Sequence, residues 1–248
     1  MTALLLLALL PLALASSPDQ RIINGMTVSI AQYPWQGAYR DGNANHVCGC
    51  VYVGGVWALT AGHCGGSTAY SVGLGSTDRT QMNMFTLAYV IRHPNYDQGT
   101  GFTPNDYAVV RINSVPSGAN ISPGTIAANA TNPGGTAHIT GWGRTCEGCA
   151  LPVNLQGVPN IPVISDSECA SRVSSGSFNA ASMICVYNAN QGACYGDGGG
   201  PMSTNTTILG LCSWGRSTCT TGYPSVYAKV GAVRSWICST SENQISGC

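Results

Sequence analysis

The chain has 248 residues, of which 8% are charged, with ten Lys and Arg balancing ten Asp and Glu. That length supplies one large domain or two modest ones, and the even charge offers no field for nucleic acid, an anionic membrane or a strongly charged partner. Its 44% of hydrophobic residues and frequent Gly, Val and Tyr exclude a disordered chain and suit a turn-rich β protein.

From the N-terminus, Ala3 to Ala15 is a run of Ala and Leu, broken by Pro11, that ends in the small-residue pattern Ala13-Leu14-Ala15. It is too short to span a bilayer and reads as a signal peptide over residues 1–15, so a secreted, extracellular product is expected. A short polar segment, 16–21, ends in basic Arg21, and the domain 22–248 opens on Ile22-Ile23-Asn24-Gly25. β-rich runs follow at Val51–Leu59, Phe85–Arg92, Ala108–Ile112, Ala137–Thr140, Gly157–Ile164, Ile208–Ser213 and Ser225–Val230. Gly, Pro, Asn and Ser clusters separate them, as in all-β sandwiches and barrels. Pro116 to Gly135 is the expected connection between halves, and Val233–Ile237 the expected short C-terminal helix.

Twelve cysteines are many for a cytosolic chain of this size unless they bind metal. Only Cys146-Glu147-Gly148-Cys149 has a metal-ligand spacing, and no second pair or histidine follows at zinc-finger distance. Disulfides formed in an oxidising compartment are expected instead, with no metal and no cofactor. Three sequons, at Asn120, Asn129 and Asn205, are candidate glycan acceptors, and each reads equally well as an unused motif.

Three further motifs carry chemistry. Thr60-Ala61-Gly62-His63-Cys64 follows the strand-like Trp57-Ala58-Leu59, and Asn105-Asp106-Tyr107-Ala108-Val109-Val110 sets an acid directly before a buried strand. Gly196-Asp197-Gly198-Gly199-Gly200-Pro201 is a glycine-rich loop after Cys194. Singly, each has an ordinary reading: a packed histidine, a turn, a loop. Their joint order and spacing change that.

The order histidine, aspartate, glycine loop, with Cys48-Gly49-Cys50 and Ser213-Trp214-Gly215, resembles the chymotrypsin-like (S1) serine proteases. Tyr33-Pro34-Trp35-Gln36, Thr140-Gly141-Trp142-Gly143 and Tyr223-Pro224-Ser225-Val226-Tyr227 extend the resemblance from Ile22 to Ile237. It implies an all-β fold of two six-stranded antiparallel β-barrels with the active site in the cleft between them. By resemblance His63 is the general base, Asp106 its orienting acid, and the N–H groups of Gly196 and Gly198 form the oxyanion hole. The family carries serine where this chain has Gly198, and glycine has no oxygen with which to form an acyl-enzyme.

The resemblance further implies cleavage by an activating protease after Arg21, freeing the amine of Ile22 to pair with Asp197. It puts Gly192 at the floor of the specificity pocket, with Gly215 and Ser225 as walls and Ser213 and Trp214 beside the substrate. That uncharged pocket is chymotrypsin- or elastase-like, and the strings around it are similar to those of annelid and mollusc proteases. Disulfides Cys48–Cys64, Cys169–Cys185 and Cys194–Cys219 are implied. Of the six remaining cysteines, Cys50 and Cys212 replace residues near the barrel junction in the family pattern, so a bridge between them is the first guess. Cys238 with Cys248 and Cys146 with Cys149 follow. The loop Gly75-Ser76-Thr77 lacks the acids of the family's calcium site, so no metal is expected.

The resulting expectation is a monomeric, catalytically inactive homologue that binds protein or peptide partners in a retained cleft. Two alternatives stand beside it: an active endopeptidase of which this sequence is a variant, and a structural or storage protein that kept only the fold.

Overall fold

The computed structural model describes residues 22–97, 103–215, 219 and 222–248. Short β1 (Met26–Thr27) is followed by β2 (Gln36–Arg40), β3 (His46–Gly54), β4 (Trp57–Thr60), β5 (Ser71–Leu74), β6 (Asn83–Arg92) and β7 (Ala108–Ile112). Strands β2 to β7 close in the order β2-β3-β4-β7-β6-β5 as one six-stranded antiparallel barrel. The second half supplies β8 (Thr125–Ile126), β9 (Thr136–Gly141), β10 (Gln156–Ile164), β11 (Met183–Val186), β12 (Pro201–Thr204), β13 (Thr207–Trp214) and β14 (Ser225–Lys229). There β9 pairs with both β10 and β12, closing a second six-stranded antiparallel barrel. β8 joins β13 in parallel, and β1 crosses to pair with β10, tying the N-terminal segment to the second barrel.

Both expected barrels and the C-terminal helix are therefore present. Helix α1 (Asp166–Arg172) precedes the expected α2, which runs Arg234–Thr240 after a 3-10 turn at Val230–Val233. The run Val51–Leu59 is not one strand. Gly54 and Gly55, at φ 119° and 55°, take left-handed conformations that a branched residue resists, and the chain reverses there between β3 and β4.

Each barrel has its own apolar interior, with Tyr39, Val72, Leu74 and Val110 in the first and Ile139, Val158, Ile161 and Ile184 in the second. A third cluster joins them: Val51, Trp57 and Leu59 from one side pack with Ile208, Leu211 and Val230 from the other. Tyr107 bridges the same junction, its hydroxyl reaching Ser182 O and Lys229 O at 3.0 Å each. The junction is thus a packed core, and the cleft above it opens on a rigid base.

Five disulfides form: Cys48–Cys64, Cys146–Cys149, Cys169–Cys185, Cys194–Cys219 and Cys238–Cys248. The expected Cys50–Cys212 bridge does not; both are buried free thiols. Cys50 points into the first barrel, where its sulfur lies against Gly37, while Cys212 packs in the second. Two closed barrels hold the sulfurs in separate interiors, and a disulfide demands close, facing Cβ atoms. Among the described residues no helix is long and apolar enough to cross a membrane.

Candidate active site

His63 follows β4, and the turn that carries it depends on Gly62. A Cβ on Gly62 would lie 3.0 Å from the Tyr96 ring and 3.2 Å from Asp106 Oδ1, so a side chain there would push on both. Asp106 precedes β7 and is fully buried. Its Oδ1 accepts from His63 N at 2.8 Å, and its Oδ2 pairs with His63 Nδ1 at 2.8 Å. The Ser213 hydroxyl donates to the same Oδ2 at 2.6 Å and lies 3.0 Å from Thr103 Oγ1. With Nδ1–H committed to a carboxylate, the neutral ring keeps its lone pair on Nε2. That atom points to Gly198.

The glycine loop is pinned from several sides. Gly49 N donates to Gly198 O at 2.7 Å, Gly199 N to Cys212 O at 2.7 Å, and Gly200 N to Asp197 O at 2.9 Å. Gly196 (φ 98°) and Gly199 (φ 74°) occupy the left-handed region; Gly198 does not. A Cβ on Gly198 would stand 2.5 Å from His63 Nε2 and 3.6 Å from Cys48 Sγ. The imidazole thus occupies the space that a side chain at 198 would fill.

Asp197 is buried beneath this loop and accepts from Gly143 N at 2.8 Å and Cys194 N at 2.9 Å. Gly141 and Gly143 pack so closely on its carboxylate that neither has room for a Cβ. Burial pushes the carboxyl up to about 6 against the pull of the two N–H donors. Ile22 is 1% exposed within the second barrel's core, and Ile23 bridges to Gly192. Arg21, the expected cleavage point, lies outside the described residues. A residue the motifs missed is His46, whose Nε2 lies 2.8 Å from Gly196 O and supports the loop from below. Burial pulls His46 down to about 4, so it is neutral and donates to that carbonyl. His46 and Thr103 stand outside any chemical motif, and only the folded chain brings them to the site.

Beside His63 opens a cavity of about 470 Å³. Its lining includes Gly196, Gly198, Ser213, Trp214, Gly215, Ser225 and the Cys194–Cys219 disulfide, with Val47, Ala193 and Tyr195 added. Gly192 is not part of that lining; a Cβ there would lie 3.0 Å from Ser225 Oγ, which accepts from Ala193 N at 2.9 Å. None of the described lining residues is Asp, Glu, Lys or Arg. Cys48, His63 and Cys64 place possible ligand atoms within 4.8 Å of one another, but the two sulfurs are bonded together and offer no thiolate.

A family profile described as Trypsin matches residues 22–237. The chain belongs to the trypsin family. Its trypsin-family relatives include a chymotrypsin-like serine proteinase of Haliotis rufescens, 34% identical over 94% of this chain and 96% of its own length. Trypsin alpha-4 of Lucilia cuprina is 30% identical over 95% and 93%, and fibrinolytic enzyme isozyme C of Lumbricus rubellus 34% over 87% and 98%. Among solved structures, neuropsin, a serine protease expressed in the limbic system of mouse brain, superposes with a TM-score of 0.80. It is 28% identical, and the match covers 88% of this chain and 98% of that one. The trypsin-family match spans both barrels and every residue of the site described above, Gly198 included.

Proposed function

We propose that this trypsin-family protein is a secreted, catalytically silent homologue that holds a protein or peptide partner in its cleft. The observation that carries the reading is the pairing of Gly198 with His63 Nε2: the base faces a residue with no group to deprotonate. The hydroxyls nearest the cavity are engaged elsewhere, Ser213 on Asp106 and Ser225 on Ala193 N. Removal of a triad nucleophile lowers kcat by about 2 × 10⁶, roughly 8.6 kcal/mol of barrier. An ordinary turnover of ~10 s⁻¹ would become ~10⁻⁵ s⁻¹, which is negligible as proteolysis.

Recognition does not depend on the missing atom. A cavity lined by Gly196, Gly198 and uncharged neighbours suits an apolar side chain, and in this reading the two glycine N–H groups hold its adjoining carbonyl. In this reading, cleavage after Arg21 frees the Ile22 amine to pair with buried Asp197 and sets the loop. Residues 1–15 direct export, and exposed Asn120, Asn129 and Asn205 accept glycans.

Peptides bearing a large apolar side chain are expected to bind and to remain intact, checked by equilibrium dialysis with mass spectrometry of the recovered peptide. Cleavage at ordinary protease rates would refute the proposal, and absence of any peptide binding would favour a pure scaffold. One observation favours the second reading, a variant of an active enzyme: the backbone at Gly198 does not require glycine.

A further inference from the structure

The turn Cys146-Glu147-Gly148-Cys149 has no part in the site above, yet both its flanks touch it. On one side Arg144 N donates to Tyr195 O at 2.7 Å. On the other, Leu151 Cδ2 packs 3.0 Å from where a Cβ on Gly196 would stand. Cys146 and Cys149 are joined between these anchors, across a sequence separation of 3. Cys146, Glu147 and Gly148 are exposed and Cys149 is partly exposed.

Two properties separate this disulfide from the rest. The others span separations of 10, 16, 16 and 25. A bond that closes a short loop removes the least entropy from the opened chain and so contributes least to its own persistence. Exchange also requires a thiolate to reach a sulfur. Every other disulfide has at least one buried cysteine, Cys48, Cys64, Cys169, Cys185, Cys219 or Cys238, whereas Cys146–Cys149 has none. The C-x-x-C spacing lets the second thiol of an opened pair return on a mixed disulfide, the geometry of reversible exchange.

We propose that Cys146–Cys149 is a thiol–disulfide exchange site, opened by a dithiol reductant without unfolding, and that opening it releases the rim of the cleft. A thiolate of the dithiol attacks one sulfur, forming a mixed disulfide and freeing the other cysteine as a thiolate that takes a proton. The reductant's second thiol then displaces the remaining cysteine. The dithiol leaves as a disulfide and the protein gains two electrons and two protons as two thiols. Arg144 and Leu151 lose the closed turn between them, so their contacts with Tyr195 and Gly196 loosen.

The test uses the intact protein with limiting dithiothreitol, quenching with iodoacetamide and peptide mapping. Cys146 and Cys149 are expected to label about tenfold or more ahead of any other pair. In the selectively reduced protein, and in a Cys146→Ser/Cys149→Ser variant, hydrogen exchange at the Arg144 amide is expected to quicken while the barrel strands stay protected. Another pair opening first, or all pairs opening together on unfolding, overturns the proposal, as does an unchanged Arg144 amide.

Discussion

Gly198 and Gly199 are neighbours with opposite constraints. Gly199 sits at φ 74°, and a Cβ there would collide with Thr60 Oγ1 and lie 2.6 Å from Gly49 O, so it must be glycine. Gly198 has an ordinary backbone, and only the His63 ring stands in the way of a side chain. Gly199→Ala is therefore expected to cost about 3 kcal/mol, from strain and overpacking together, and Gly198→Ala about 1 kcal/mol, the ring giving way. Urea midpoints of the two variants check the order. His46 and Asp197 set a second test. From pH 6.5 down to about 4 the unfolded chain protonates at His46 while the folded chain does not, so this group's contribution to stability is lost as pH falls. Asp197 acts in the other direction, because its folded carboxyl, at about 6 against an ordinary 3.8, takes its proton first. The penalty of burying its charge is relieved as pH falls from about 6 to about 4. Each shift is worth about 3 kcal/mol, and in the uncut chain the two offset. His46→Gln is expected to gain about 3 kcal/mol between pH 6.5 and 4 relative to the parent, and Asp197→Asn to lose a similar amount. Denaturant melts across that window check this, and slopes of the same sign in both variants would contradict it.

Among the elements, strands rich in Val and Ile could be read directly because both of their faces are buried. β7 (Ala108–Ile112), with two Val and one Ile, is the example. β2 could not, since Gln36 and Gly37 do not suggest a strand; yet it is buried throughout, and Gln36 Oε1 accepts from Thr140 Oγ1 at 2.6 Å across the two barrels. Gly54-Gly55 hid a reversal inside one apolar run. Helix α1 is seven residues long and buries only Cys169, so no apolar period marks it, although Ser165 followed three residues later by Glu168 is a start signal and the Ser165 hydroxyl does accept from Glu168 N at 3.1 Å. Ser165→Ala is expected to cost about 1 kcal/mol, the usual value of a lost cap, read from thermal melts. A change near zero would mean that α1 is held by Cys169–Cys185 alone.

At the scale of the whole molecule, the three motifs that meet beside the cavity were legible because each is a short segment: His63 on its turn, Asp106 before its strand, Gly198 in its loop. What sequence could not supply was which interiors the chain would close. Cys50 and Cys212 look like neighbours at the barrel junction but face separate cores, and burial raises both thiols far above the ordinary range. Alkylation is accordingly expected to find no fast-reacting thiol in the native protein and two after denaturation without reductant; none in the denatured protein would restore the Cys50–Cys212 bridge. The two barrels meet in a packed core, so the cleft they form does not rely on a side chain at residue 198. A fluorophosphonate that reports an activated serine, followed by intact mass, tests this most directly. The parent protein is predicted to stay unlabelled and Gly198→Ser to gain one adduct at residue 198. An adduct in the cleft of the parent, or none in a folded Gly198→Ser, would contradict a formed site that lacks only its nucleophile.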